Sequence, residues 1–200
     1  MPLAGQGAGK TTLLRALIAS IPHNERFGTL ETDYELLTHL QPGLDPEVLR
    51  AEAASVGIPT VIWSYPRGEG ISKDGETAID IAAYAAQMAA LLGAHVIKIK
   101  LSTDHLENKD AKKVYEEQGI DISTQAARVK HCMDAAFAGR RLVVFSGGAA
   151  KGADAVYDDA RAIRDGGGNG SIIGRNSFQR SREDALDMLG KLVDIYLGRA

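Results

Sequence analysis

Cysteine is nearly absent from this 200-residue chain: Cys132 stands alone. That excludes an intrachain disulfide and a cysteine-rich zinc site, and it fits a reducing compartment. Charge of one sign is not in excess either. With 23 Lys and Arg against 26 Asp and Glu, the net charge of −3 gives no reason to expect a non-specific nucleic-acid or membrane-surface binder. No apolar run approaches the roughly 20 residues that a membrane-spanning helix needs. The opening Met1-Pro-Leu-Ala-Gly5 lacks a basic-then-apolar export signal. Internal repeats and charge blocks are missing, and the five histidines (His23, His39, His95, His105, His131) show no metal-ligand spacing. The expected setting is the cytoplasm, with neither nucleic acid nor membrane as a partner.

What is present is 44% hydrophobic residues, enough to bury the core of one domain at this length. From Pro46 onward the text alternates helix and strand. Asp45 is a plausible N-cap with Pro46 at the first helical position, which predicts a helix to Val56. Thr60–Tyr65 is a β-rich run stopped by Pro66. Thr77–Leu92 is an Ala-rich amphipathic helix ended by Gly93, and His95–Leu101 is a strand. A polar, helical insert runs to Gly119, with Lys109, Lys112 and Lys113 read as solvated. A helix over Thr124–Ala138, a strand over Arg141–Phe145, a helix over Asp154–Arg164, a strand over Ser171–Gly174 and a closing helix over Arg182–Leu197 complete the pattern. Four strand–helix units with strands apolar on both faces predict a parallel sheet under helices, either doubly wound or part of a (β/α)8 barrel. A whole barrel takes about 250 residues, so there is room for little more than half of one.

The first 43 residues read differently. Ala4-Gly-Gln-Gly-Ala-Gly-Lys-Thr11 is a phosphate-loop pattern with Ala4 in place of the first glycine. In such a loop the amides around Gly9 would cradle nucleotide phosphates, Lys10 would reach the β and γ positions, and Thr11 would hold Mg²⁺. Arg26–Glu31 reads as a strand, and Gln41-Pro-Gly43 is the natural boundary between a segment 1–43 and a unit 44–200.

Alternation along a strand puts Lys98 and Lys100 on one face and Ile97 and Ile99 on the other. With the Ile face under helices, two ammonium groups turn toward a barrel interior or site mouth. Desolvation and a like-charged neighbour both lower a lysine pKa, which makes an amine nucleophilic at neutral pH. An exposed edge, or pairing with carboxylates, explains the same two lysines without chemistry. Trp63 and Tyr65 also share a face; Tyr65, near a strand's end, is either an acid/base or a capped core aromatic. Ser146-Gly-Gly148 and Gly174-Arg-Asn176 end two more strands. Their backbone amides and the Arg175 guanidinium suit a phosphate, although tight turns need glycine for geometry alone.

Taken together, Trp63-Ser-Tyr-Pro-Arg-Gly68, Ile97-Lys-Ile-Lys100, Phe145-Ser-Gly-Gly148 and Asp165-Gly-Gly-Gly-Asn-Gly-Ser-Ile-Ile-Gly-Arg-Asn176 resemble the class I fructose-bisphosphate aldolases of the archaeal and bacterial DhnA type. The resemblance covers roughly residues 45–200 and implies the fifth to eighth strands of a (β/α)8 barrel. It assigns Lys98 as the Schiff-base lysine and Tyr65 as the general acid/base. Trp63 lines the pocket, and Ser146, Gly147, Gly148, Gly174 and Arg175 hold the phosphate nearer the ketone. It implies a lyase of glycolysis and gluconeogenesis that acts on a phosphorylated sugar through a covalent imine, with no metal or other cofactor. Lys98 is preferred to Lys100 because the family's lysine is the first in this strand. Nothing in residues 1–43 matches the family's first four strand–helix units, so the retained half has two strand edges and an expected tendency to form homo-oligomers. Residues 1–43 resemble instead a fragment of the CpaF-like secretion ATPases. The readings that compete with the aldolase are therefore a nucleotide-binding fragment and a catalytically inert half barrel.

Overall fold

In the computed structural model residues 28–31, 46–68 and 70–200 are described. The phosphate-loop candidates Gly9, Lys10 and Thr11 lie outside the described residues, as does the boundary expected at Gln41–Gly43. The elements are β1 (Gly28–Glu31), α1 (Pro46–Ser55), β2 (Thr60–Trp63), α2 (Ile79–Leu91), β3 (Val96–Lys100), α3 (Lys109–Glu117), α4 (Gln125–Ala135), β4 (Leu142–Ser146), α5 (Ala153–Asp165), β5 (Ser171–Ile172), α6 (Arg175–Phe178) and α7 (Arg182–Tyr196). A single 3₁₀ turn, Gly75–Thr77, leads into α2.

Five strands form one parallel sheet in the order β1-β2-β3-β4-β5, which is also their order in the chain. A doubly wound sheet reverses its strand order at a switch point, and the strands of the described residues run without such a reversal. β1 comes from the strand expected at Arg26–Glu31 and pairs in register with β2, Gly28 opposite Thr60 and Glu31 opposite Trp63.

Burial follows the strand alternation. Ile62, Ile97, Ile99, Val143 and Phe145 are at most 1% exposed and pack beneath the helices. Each contributes roughly 2–3 kcal/mol of apolar burial, which fixes the register because a one-residue slip would turn all of them to the other face. α2 presents Ala82, Ala86, Ala89 and Ala90 to this layer, and their small side chains let the helix lie close on the sheet. A second cluster joins α5 to α7 through Val156, Ala160, Met188, Leu192 and Ile195. Helix starts are capped by side-chain acceptors: Asn108 for α3, Thr124 for α4 and Ser181 for α7. Within the polar insert α3 has no buried residue, and Lys109, Lys112 and Lys113 are exposed on it.

Candidate active site

With the Ile face of β3 buried, Lys98 and Lys100 project from the opposite face toward the C-terminal strand ends. A cavity of about 670 Å³ sits there, lined on one side by Trp63, Tyr65, Lys98 and Lys100 and on the other by the turn that follows β4. Lys98 is 7% exposed, and its Nζ lies 3.4 Å from the centre of the Trp63 ring and 5.9 Å from that of Tyr65. An amine this close to an indole face is held by the ring's electron-rich surface and shielded from water. The Trp63 and Tyr65 rings stand 6.3 Å apart at 34°, so they form one wall although β2 itself ends at Trp63. The Ser64 amide extends the ladder past that end by donating to the Lys98 carbonyl at 2.8 Å.

Lys100 has a different neighbourhood. Its Nζ donates to Glu76 Oε2 at 3.1 Å and lies 5.7 Å from the Tyr65 ring centre. The two lysines thus flank Tyr65, one on the Trp63 ring and one on a carboxylate.

The opposite wall is the Ser146–Gly148 turn. Gly147 donates to the Ile172 carbonyl, and a Cβ on it would come within 2.5 Å of Ile173 Cγ2, so only glycine fits between β4 and β5. Gly148 adopts φ +66°, a left-handed conformation that glycine takes without strain. Arg175 opens α6 just after Gly174 and donates to the Gly148 carbonyl at 3.0 Å, which ties the two glycine-bearing strand ends together. All of the residues expected from the sequence in residues 44–200 (Trp63, Tyr65, Lys98, Ser146, Gly147, Gly148, Gly174 and Arg175) line this one cavity.

Several functional groups were not foreseen. Asn176, 2% exposed, donates through Nδ2 to the Gly147 and Ala149 carbonyls and accepts the Lys151 amide on Oδ1. Arg180 donates to the Asn176 and Lys151 carbonyls and continues the brace. Lys151 pairs with Asp159 at the cavity edge. A signal for Asn176 was available: an amide beside the Gly174-Arg175 turn can satisfy backbone donors and acceptors at once. The histidines of the described residues have structural partners: His95 accepts the Thr60 amide, His105 meets Glu107, and His131 meets Tyr115. Cys132 is fully buried, and burial pushes its thiol up to about 12, so it does not act as a nucleophile.

Lys98, Lys100, Arg67, Lys151 and Arg175 give the cavity a cationic lining that also holds Asp159, and Glu76 pairs with Lys100 beside it. Fold and site together define an α/β protein with a cation-lined cavity at the carboxyl ends of parallel strands. Residues 47–180 match the DeoC/LacD family of aldolases, and the chain belongs to that family. It is 33% identical over 139 residues to the class 1 fructose-bisphosphate aldolase of Halobacterium salinarum, a match that covers 68% of this chain and 43% of the relative. The chain therefore spans about half the length of the curated relatives it matches. A crystal structure of an archaeal fructose 1,6-bisphosphate aldolase superposes with a TM-score of 0.61 at 26% identity, over 86% of this chain and 57% of that one. A Schiff-base-forming fructose-1,6-bisphosphate aldolase superposes with the same TM-score at 25% identity, over 84% and 57%.

Proposed function

We propose that this chain carries the imine-forming machinery of a class I aldolase that cleaves fructose 1,6-bisphosphate reversibly to dihydroxyacetone phosphate and glyceraldehyde 3-phosphate. One observation carries the reading: the Lys98 amine is buried against Trp63, beside Tyr65, in a cavity whose far wall is a glycine turn bound by Arg175. The Lys98 nitrogen adds to the C2 ketone, and loss of water gives an iminium ion. That cation accepts the electron pair of the breaking C3–C4 bond while Tyr65 takes the proton of the C4 hydroxyl. Glyceraldehyde 3-phosphate leaves, the enamine is protonated at C3, and hydrolysis frees dihydroxyacetone phosphate and Lys98. The protonated imine is the electron sink, so the scheme calls for no metal or other cofactor. Ser146, Gly147, Gly148, Gly174 and Arg175 would hold the phosphate nearer the ketone, a role that their shared lining of the cavity supports.

In this reading β2 to β5 are the fifth to eighth strands of a (β/α)8 barrel, and residues 44–200 form the aldolase-like unit, working in the cytoplasm. Residues 1–43 carry the phosphate-loop pattern and also supply β1, which pairs with β2, so the sheet runs across the boundary expected at residue 43. Among the described residues, β1 and β5 each have one strand neighbour in the sheet, and Leu142 and Ile172 on its cavity face are 51% and 42% exposed. Open edges beside apolar surface support self-association into a homo-oligomer. The reaction is tested by borohydride reduction in the presence of dihydroxyacetone phosphate, followed by peptide mapping. A secondary amine on Lys98 is expected; no adduct, or an adduct confined to a surface lysine such as Lys109, refutes the proposal.

A further inference from the structure

The imine scheme leaves one ion pair of the cavity without a task. Lys151 and Asp159 both line it, and Asp159 is the one carboxylate among the described lining residues. We propose that Lys151 is a specificity-determining residue: Asp159 holds its side chain at the cavity wall, and its nitrogen donates to an oxygen of a phosphate seated on the Ser146–Gly148 turn, so that a phosphorylated ketone is preferred to the same ketone without phosphate. The choice of a ketone as ligand rests on the Schiff-base reading above; the phosphate contact itself does not.

Lys151 is fixed at both ends. Its amide donates to Asn176 Oδ1 at 2.8 Å, and its carbonyl accepts Arg180 Nη2 at 2.8 Å. Its side chain runs back along α5, whose N-cap is the next residue, Gly152, and meets Asp159 in the second turn of that helix. The brace that holds Lys151 also shapes the glycine turn. Asn176 Nδ2 donates to the Gly147 and Ala149 carbonyls, and the neighbouring Arg175 donates to the Gly148 carbonyl. Lys151, the glycine turn and Arg175 are thus set by one hydrogen-bond network, and all of them line the same cavity.

A lysine ammonium has three N–H donors, and the contact with Asp159 occupies one of them. A phosphate oxygen can accept another. The carboxylate would by itself repel an anionic ligand, but beside Lys151 its charge is offset, and the pairing orders a side chain that would otherwise swing in solvent. The two side chains are 32% and 27% exposed, so they are open to a ligand from the cavity. A lysine already ordered gives up little rotamer freedom when that ligand arrives. A neutral hydroxyl in place of the phosphate gains less from the same donor, because charge on both partners strengthens the bond. Lys151 meets the phosphate and none of the reacting carbons.

The test uses the whole chain and borohydride trapping with two probes, dihydroxyacetone phosphate and dihydroxyacetone, which differ only in the phosphate. The ratio of their half-saturating concentrations measures the preference. In Lys151→Met that preference falls roughly three- to tenfold, as loss of one partly exposed charge-assisted hydrogen bond implies. Should Lys151→Met fail to fold, Lys151→Gln carries the same expectation. Asp159→Asn separates binding from scaffolding. A pair that only tied the loop to α5 would be broken equally from either side, and both variants would lose the preference together. With Lys151 as the phosphate donor, Asp159→Asn keeps the donor and removes the repelling carboxylate, so the preference does not fall. The contact is also read without imine chemistry, as the rise in melting temperature given by dilute inorganic phosphate over chloride at matched ionic strength: smaller in Lys151→Met than in wild type, and not smaller in Asp159→Asn. An unchanged preference in folded Lys151→Met, an equal fall in both variants, or the same phosphate response in all three chains overturns the role of Lys151. No adduct in the wild type, with the phosphate responses as expected, overturns the aldolase reading and leaves the contact standing.

Discussion

Asn176 is the most exacting test of how the Ser146–Gly148 wall of the cavity is built. One buried amide spans three backbone groups of the β4–α5 loop: it donates to the Gly147 carbonyl at 2.8 Å and the Ala149 carbonyl at 3.1 Å, and it accepts the Lys151 amide at 2.8 Å. At about 1 kcal/mol net for each hydrogen bond, Asn176→Ala costs about 3 kcal/mol if no water enters. For a chain of this length that lowers the melting temperature by about 6–12 °C. Asn176→Asp separates brace from bulk. Its shape is preserved and one oxygen still accepts the Lys151 amide, but both donors are gone and an anionic oxygen faces two carbonyls. The aspartate variant is therefore expected to melt no higher than the alanine one. The assay is thermal denaturation with dilute inorganic phosphate against chloride at matched ionic strength, so that added stability reports binding of phosphate to the folded form. Wild type gains stability from phosphate, and both variants lose that gain along with the melting temperature. If Asn176→Ala melts within about 2 °C of wild type and keeps its phosphate response, the brace is not what holds the turn.

Three further outcomes follow from the same coordinates. A Gly147→Ala side chain would enter the space of Ile173 Cγ2 at 2.5 Å, so the turn shifts and trapping on Lys98 needs more dihydroxyacetone phosphate; unchanged half-saturation would count against a phosphate role for this turn. The Glu107 carboxyl is held at about 2, first by the Ser72 amide, then by the Ser72 hydroxyl and by His105, against an ordinary value of 4.5. A depressed folded value means that its stabilising effect is complete above about 4.5 and is lost as the pH falls toward 2. Glu107→Gln should therefore flatten the acid limb of a stability–pH curve in that window, as read by urea unfolding at stepped pH. Cys132 should resist a thiol reagent at pH 8 in the folded protein and react fully in urea, because burial raises its thiol to about 12; fast labelling in buffer would mean that α4 opens readily.

How much of this was legible in the sequence depends on where the controlling contacts lie. The β3 strand was visible because its apolar and basic residues alternate, and alternation alone divides Ile97 and Ile99 from Lys98 and Lys100. The helices read over Thr124–Ala138 and Arg182–Leu197 are present, and the structure adds that the Thr124 and Ser181 side chains cap their first turns. The glycines at 147 and 148 announced a turn, and the structure adds that the first is required by the approach of β5 and the second by its φ. Contacts between segments far apart in the chain were not legible. Asn176 reaches back more than two dozen residues to the β4–α5 loop, and Thr103 and Glu107 clamp Ser72–Thr77 across α2 and β3. Neither link leaves a periodic trace.

The same limit explains why strand parity left Lys98 and Lys100 equivalent. Parity reports only which face a side chain leaves from, and both leave from the cavity face. What separates them is the next layer outward. An indole ring from β2 lies under one amine, while a carboxylate carried on a 3₁₀ turn lies beside the other. That turn is positioned by hydrogen bonds from the loop after β3, the strand on which both lysines sit. The surroundings of each amine are therefore a tertiary property, and those of Lys100 depend on how the β2–α2 loop is pinned. It follows that damage to the pin should loosen this loop before it unfolds the sheet: Ser72→Ala removes a hydroxyl that both donates to Glu107 and accepts the Gly75 amide, so amide exchange should quicken at Gly75–Thr77 while the Ile97 and Ile99 core stays protected. Hydrogen exchange read by mass spectrometry beside a far-ultraviolet melting curve checks both. Unchanged protection at Gly75–Thr77 in Ser72→Ala would show that the loop keeps its place without that hydroxyl.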